Sequence, residues 1–197
     1  MALYAFDGTG NEDRPDTAEG GFDSNVLAFF RAYHDPDKDL QETNDRGSLY
    51  LKGIGRRAET HTGSVVAQAF GLGGHLRIGI MMDRLAHNCD AGDTTVDVIG
   101  FSRGAATALD FCHLVQNRGI RRPAEEVVVN PRPQLRFVGL WDVVPAFGLG
   151  FLGNQALNFG HRLTAPTRDI DYCFHALALD ERRPSFIPTR LVGAGEV

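Results

Sequence analysis

One serine, flanked by glycines, is the residue best placed to do chemistry in this chain. The run Gly100-Phe101-Ser102-Arg103-Gly104 has the Gly-x-Ser-x-Gly pattern, in which a sharp turn between a strand and a helix lifts the serine hydroxyl above the sheet. The glycines leave room where the strand and the helix approach each other. The N–H of Arg103, at the helix N-terminus, is then a natural donor to an oxyanion. The pattern therefore predicts Ser102 as a nucleophile that attacks a carbonyl group.

A serine hydroxyl needs a base, and we look for that base among the histidines that follow Ser102. A hydroxyl alone is a poor nucleophile, and enzymes with this turn carry their residues in the order Ser, acid, His. Only His113, His161 and His175 follow the serine. His175 lies near a late element of the sheet, where the base normally arrives, and we expect it to be the base. His161 remains the alternative, whereas His113 falls in the helix after the serine and is expected to point away from it.

Asp142 is the expected acid of the site. It directly follows the predicted strand 135–141, and carboxylates at the carboxyl ends of parallel strands face the active-site crevice. A carboxylate in this position orients the imidazole and favours its protonated form. Asp180 and Asp110 remain open as alternatives.

The turn after the first strand is the expected source of a second oxyanion donor. The run Asp7-Gly8-Thr9 follows the apolar segment 3–6, and enzymes of this kind take a second amide from such a position. We expect the N–H of Gly8 or Thr9 in that role, with Asp7 and Asn11 bracing the loop. An ordinary turn, in which an aspartate side chain bonds nearby backbone, is the alternative.

The elements that would position these residues alternate between strand and helix. Strands are predicted over 3–6, 48–51, 95–99 and 135–141, and helices over 25–33, 75–88 and 104–116. The segment 127–130 fits a short strand or a connection, and 172–179 fits either a helix or a strand. This alternation predicts an α/β-hydrolase-like fold, with a mostly parallel sheet and helices on both faces. No linker divides residues 1–197, so we expect a single catalytic domain.

The composition restricts the class of partner. The net charge is −5, which argues against nucleic acid, because phosphate binding rests on a basic surface. The first residues lack the basic and apolar regions of a signal peptide, and no window approaches the ~18 apolar residues of a membrane helix. We therefore expect a cytoplasmic protein without a transmembrane segment, with secretion by a signal-independent route still open. A homo-oligomer is compatible with the same composition.

The cysteines and histidines predict neither disulfides nor a metal site. Cys89, Cys112 and Cys173 are odd in number and widely spaced, which fits a reducing compartment. The chain has no Cys-x-x-Cys and no His-x-x-x-His pair, so a zinc site has no support. We expect chemistry that uses no metal and no cofactor.

Several ordered motifs together resemble a known family. They are Phe6-Asp7-Gly8-Thr9-Gly10-Asn11, Ser24-Asn25-Val26, Gly53-Ile54-Gly55, Gly100-Phe101-Ser102-Arg103-Gly104-Ala105, Val138-Gly139-Leu140-Trp141-Asp142-Val143-Val144 and His175-Ala176-Leu177-Ala178-Leu179-Asp180-Glu181-Arg182-Arg183. The chain is similar, over nearly its whole length, to the catalytic domain of the type VI secretion phospholipase effectors of the first lipase class. The resemblance implies an α/β-hydrolase fold and a Ser-Asp-His triad acting on carboxylic esters, phospholipids in the effectors. The family pattern continues past Val197 into another strand, so we expect a small member that lacks a C-terminal strand.

The resulting hypothesis is a serine ester hydrolase of the carboxylesterase or lipase class, working through an acyl-enzyme on a small-molecule or lipid ester. The alternative is an interaction module that keeps the fold without catalysis. A phosphatase with an aspartate nucleophile is disfavoured, because its Asp-x-Asp-Gly-Thr loop would need an aspartate where this chain has Ala5.

Overall fold

The computed structural model describes residues 1–8, 23–33, 47–53, 72–122, 127–144, 164, 170–182 and 190–191. The strands are β1 Ala2–Phe6, β2 Leu49–Leu51, β3 Thr95–Phe101, β4 Ile120–Arg121, β5 Val128–Asn130, β6 Gln134–Trp141 and β7 Ile170–Ala176. The helices are α1 Asn25–Tyr33, α2 Leu72–Asp90 and α3 Arg103–Arg118. Strands and helices therefore alternate along much of the chain, as the sequence predicts.

The main sheet has the strand order β2-β1-β3-β6-β7, and every neighbouring pair is parallel. Phe6 lies opposite Gly100, Phe101 lies opposite Trp141, and Trp141 lies opposite Ala176. The carboxyl ends of β1, β3, β6 and β7 therefore meet at one edge of the sheet. Ligands of parallel sheets bind at this edge, because the strands end there and the loops begin.

Helices pack on both faces of the sheet, because the side chains of successive residues in a strand point to opposite faces. Tyr4 and Phe6 point to one face and pack against Phe111 of α3, with ring centroids 5.8 and 5.5 Å apart. Leu3 points to the other face, where it shares a buried cluster with Phe30 of α1. Strands buried on both faces read as continuous apolar runs, which is why β1 and β3 are easy to recognise in the sequence.

The fold class, a mostly parallel sheet with helices on both faces, is confirmed. The undecided segment 172–179 contributes to a strand, since β7 covers Ile170–Ala176. The segment 127–130, which fitted either a short strand or a connection, includes the strand β5, and this strand pairs antiparallel with Ile120–Arg121 outside the main sheet. That partner strand was not predicted, because two residues carry no periodicity. In the part of the chain that the structure describes, no helix is both long and apolar enough to cross a membrane.

Candidate active site

Ser102 occupies a strained turn between β3 and α3. Its φ of 55° and ψ of −124° lie in a region that residues with a Cβ rarely adopt. The backbone holds this conformation from both sides: Ser102 N–H donates to the Trp141 carbonyl (2.9 Å), and Val144 N–H donates to the Ser102 carbonyl (3.2 Å). The serine is therefore anchored to the segment that follows the neighbouring strand β6. A strained residue held this firmly is typical of an active site.

The glycines around Ser102 are required by close packing. A Cβ on Gly100 would lie 2.7 Å from the Ala105 Cα, and a Cβ on Gly104 would lie 2.5 Å from the Asp7 carbonyl oxygen. Both atoms belong to the backbone, so neither can rotate out of the way. The turn therefore sits directly against the end of β1, as expected for Gly-x-Ser-x-Gly.

Arg103 is the first residue of α3. Its N–H belongs to the first turn of the helix, which has no preceding helical carbonyls for its amides to bond. Such an amide beside Ser102 is suited to donate a hydrogen bond to an oxygen atom on which negative charge develops. The Arg103 side chain is partly withdrawn from water, and this burial lowers the pKa of its guanidinium.

Asp142 follows β6 and adopts a φ of 44°. Its N–H donates to the Ala176 carbonyl (3.0 Å), and its Oδ1 accepts a hydrogen bond from Ala178 N–H (2.6 Å). The aspartate therefore ties the end of β6 to the chain that leaves β7. Aspartate tolerates the left-handed conformation better than most residues, because its short side chain bonds local backbone.

His175 lies on β7, opposite Leu140 in the parallel register. Its Nε2 accepts a long hydrogen bond from Val143 N–H (3.4 Å). Burial lowers the pKa of His175, and the negative charge of Asp142 opposes that shift. The imidazole is thus favoured in its neutral form, the form that takes a proton from a nucleophile.

The predicted acid and base are brought to one edge of the sheet with the serine, but they are not yet hydrogen-bonded to each other. Among the described side chains, Ser102 and His175 form no hydrogen bond, and neither do Asp142 and His175. The link between Asp142 and His175 is electrostatic. Catalytic hydrogen bonds are often long or misaligned before substrate binds, so this arrangement is compatible with a triad.

The turn after β1 is built around a buried carboxylate. Asp7 is 1% exposed, and its Oδ1 accepts a hydrogen bond from Gly8 N–H (2.7 Å). This amide is thus engaged by a side chain, as in the ordinary aspartate turn. Thr9 and Asn11, predicted as oxyanion donor and loop support, lie outside the described residues.

A model of one family covers almost all of this chain. The model for the T6SS, phospholipase effector Tle1-like, catalytic domain matches residues 3–130 and 121–194. The chain belongs to this family. No curated protein matches it.

Two solved structures share the fold. One is an uncharacterized protein from Pseudomonas aeruginosa, with 18% identity and a TM-score of 0.52 over 94% of this chain and 36% of that one. The other is the Tle1 effector bound to the VgrG spike from the type 6 secretion system, with 22% identity and a TM-score of 0.53 over 98% of this chain and 47% of that one. This chain therefore spans less than half the length of either structure.

The alternative acids and bases occupy other positions in this family member. His113 lies on α3, and its Nε2 is 2.8 Å from the carbonyl oxygen of Thr164. Asp110 is also on α3, within the helix that follows the serine. Asp180 is exposed, beyond the end of β7, whereas His161 lies outside the described residues. Of the candidates whose placement is described, Asp142 and His175 have the position that the strand ends predict.

Three further contacts at the site were not identified from the sequence. Tyr50 OH and Ser24 Oγ each donate to Asp7 Oδ2 at 2.5 Å, and Arg77 Nη2 donates to the Asp7 carbonyl oxygen at 3.2 Å. Ser24 also caps the N-terminus of α1, since its Oγ accepts a hydrogen bond from Leu27 N–H (3.0 Å). No local sequence signal links residues so far apart in the chain.

Proposed function

We propose that this chain is a serine hydrolase that cleaves carboxylic ester bonds of lipids through an acyl-enzyme. The observation that carries the proposal is the strained position of Ser102, tied by backbone hydrogen bonds to the segment on either side of Asp142. Ser102 and Asp142 directly follow the adjacent parallel strands β3 and β6, and His175 is the penultimate residue of the next strand, β7. The membership in a phospholipase effector family supports the ester hydrolase class.

In the proposed reaction, Ser102 Oγ attacks the ester carbonyl carbon while His175 removes the hydroxyl proton. Asp142 favours the imidazolium that forms, because its negative charge raises the pKa of His175. The tetrahedral oxyanion accepts a hydrogen bond from Arg103 N–H, and one such donor typically lowers the barrier by ~3–4 kcal/mol. His175 then protonates the departing alcohol, and water attacks the acyl-enzyme by the same route to release the acid.

A lipid ester is the substrate class that we propose. The family is described by its phospholipase effectors, and a phospholipid presents carboxylic esters to a serine nucleophile. The neutral His175 and the part-buried Arg103 at the end of the sheet suit an ester, whose carbonyl is uncharged until it is attacked. Phospholipids and simpler lipid esters share this reacting group.

The test is ester turnover together with labelling of the serine. Wild type and Ser102→Ala would be assayed on p-nitrophenyl esters of increasing acyl length and on phosphatidylcholine vesicles, and both would be treated with a fluorophosphonate probe. We expect turnover and labelling by wild type alone. Equal turnover by both proteins would exclude Ser102 as nucleophile.

An interaction module without catalysis is the second candidate. It is favoured by the missing hydrogen bonds from His175 to Ser102 and Asp142 among the described residues. A folded wild-type protein that neither labels nor hydrolyses any ester of the series would support it.

A further inference from the structure

The carboxylate of Asp7 is buried at the end of β1 beside the proposed nucleophile. Only 1% of this residue is exposed, and a buried charge is costly unless hydrogen bonds compensate it. Among the described residues three donors do so: Gly8 N–H on Oδ1 (2.7 Å), with Tyr50 OH and Ser24 Oγ on Oδ2 (2.5 Å each). These donors come from the turn after β1, from β2 and from the residue that precedes α1, so the carboxylate joins three separate parts of the chain.

Arg77 of α2 adds a fourth element to the same cluster. Its Nη2 donates to the carbonyl oxygens of Asp7 (3.2 Å) and Leu51 (2.9 Å), and its guanidinium lies 5.7 Å from the centre of the Phe6 ring. The residue is 8% exposed. Burial lowers the pKa of Arg77 to about 10, against the opposing charge of Asp7, so Arg77 remains a cation at neutral pH.

Together these contacts hold one peptide group, the one that joins Asp7 to Gly8. Its carbonyl accepts from Arg77, and its N–H donates to the Asp7 carboxylate. The preceding amide, Asp7 N–H, donates to the Leu51 carbonyl (2.9 Å). This stretch of backbone is therefore held at each of its polar atoms and cannot rotate without breaking a buried hydrogen bond.

The proposed nucleophile turn rests on this peptide. A Cβ on Gly104 would lie 2.4 Å from the Phe6 carbonyl oxygen and 2.5 Å from the Asp7 carbonyl oxygen. Gly104 follows Ser102 by two residues. The position and orientation of the turn therefore depend on the positions of these two carbonyl groups. A shift of about 1 Å in a reacting group can cost ~100-fold in rate.

We propose that Tyr50, Ser24 and Arg77 are positioning residues for Ser102. They act through Asp7: they fix the Asp7–Gly8 peptide, and that peptide fixes the turn that carries the nucleophile. This inference rests on the proposed serine hydrolase function. It differs from a purely structural role, in which the cluster would stabilise the fold without affecting the reactivity of the serine.

Tyr50→Phe is the sharpest test, and Tyr33→Phe is its matched control. Each substitution deletes one tyrosine hydroxyl that donates to an aspartate, since Tyr33 OH donates to Asp97 Oδ2 at 2.8 Å. Asp97 lies in the first half of β3, away from the carboxyl end that leads to Ser102. The two variants therefore remove the same chemical group, one near the carboxyl ends of the strands and the other away from them.

The measurements are kcat and KM on a short p-nitrophenyl ester, the rate of fluorophosphonate labelling, the count of labelled serines per folded molecule, and Tm. We expect Tyr50→Phe to lower kcat and the labelling rate about tenfold, the effect of losing one hydrogen bond to a charged group. KM should change less than about twofold, because the bond contacts no substrate. Tyr33→Phe should lower Tm by about as much as Tyr50→Phe does, but it should leave kcat unchanged.

A second pair guards against a variant that fails to fold. Ser24→Thr keeps both the hydroxyl donor and the N-cap and should retain wild-type kcat, whereas Ser24→Ala should lose kcat as Tyr50→Phe does. Wild-type kcat in Tyr50→Phe, or a loss matched by the loss of labelled serines, would overturn the inference while the proposed function stands. A wild type that neither hydrolyses esters nor labels would remove the proposed function, and the inference with it.

Discussion

The N–H of Ser102 donates a hydrogen bond to the carbonyl of Trp141, at 2.9 Å. Trp141 is the last residue of β6, and Asp142, which follows it, bonds through its own N–H and its carboxylate to the chain at Ala176 and Ala178. A continuous set of hydrogen bonds therefore runs from the proposed nucleophile through the proposed acid to the strand that carries the proposed base. The relative positions of the three depend on the pairing of β3, β6 and β7.

Replacing Ser102 should separate its chemical role from its strain. Ser102→Ala and Ser102→Gly are both expected to lower kcat at least ~1000-fold, because the proposed nucleophile is absent. Ser102→Gly should raise the free energy of unfolding by about 1 kcal/mol over Ser102→Ala, since glycine adopts a positive φ without strain. Urea denaturation measures this difference, and a more stable alanine variant would show that the turn is not strained.

Adding one methyl group to the turn should damage both the fold and the site. Gly104→Ala places a Cβ against the carbonyl oxygens of Phe6 and Asp7, at the end of β1, and such overpacking typically costs ~1–3 kcal/mol. Activity per folded molecule should fall as well, because the turn must move. Gly79→Ala in α2 is the control: its Cβ would meet nothing within 4 Å, and alanine in a helix should gain ~0.5–1 kcal/mol. Equal losses in both variants would contradict the packing account.

The pH profile should report on His175. Burial lowers its pKa below the ordinary 6.5, so the acid limb of kcat/KM should lie below pH 6.5. Asp142→Asn removes the charge that raises this pKa, and the limb should move to lower pH while kcat falls. Asp180→Asn, which changes the exposed rival acid, should leave the limb in place. A limb that stays fixed in Asp142→Asn, or moves to higher pH, would argue that Asp142 does not act on His175.

Arg136 should contribute to stability and not to catalysis. Asp97 is 0% exposed; its carboxylate accepts hydrogen bonds from Arg136 Nε (2.9 Å) and Nη2, and from Tyr33 OH (2.8 Å). Arg136→Met should cost about 2 kcal/mol, less than the ~3–5 kcal/mol of a fully buried pair, because the Arg136 side chain is 36% exposed. Activity per folded molecule should not change.

The Arg136 test has an internal check. Adding Asp97→Asn to Arg136→Met should restore part of the lost stability, because a neutral amide is cheaper to bury than an unpaired carboxylate. Urea denaturation of the single and double variants measures this. A double variant less stable than Arg136→Met would show that the cost does not come from the buried charge.

The turn that carries Ser102 was predictable because its constraints are local. The sterics of Gly100 and Gly104, the apolar run of β3 and the helix after Ser102 all lie within a short stretch of sequence, and the structure places the turn where they indicate. β7 was not assigned, and the reason is physical: it is an outer strand, and Tyr172 and Phe174 are each 60% exposed. A strand without a buried face has no alternation of apolar and polar residues to recognise.

The sequence by itself determined the fold class, the position of the serine turn and the set of candidate acids and bases. The tertiary structure decided which of them share one edge of the sheet, because the register of β3, β6 and β7 brings Ser102, Asp142 and His175 to neighbouring strand ends. It alone revealed the cluster around Asp7, whose contacts with Ser24, Tyr50 and Arg77 span 17 to 70 residues of chain. Contacts over such separations arise from how helices and strands pack, and residue type and spacing do not encode them.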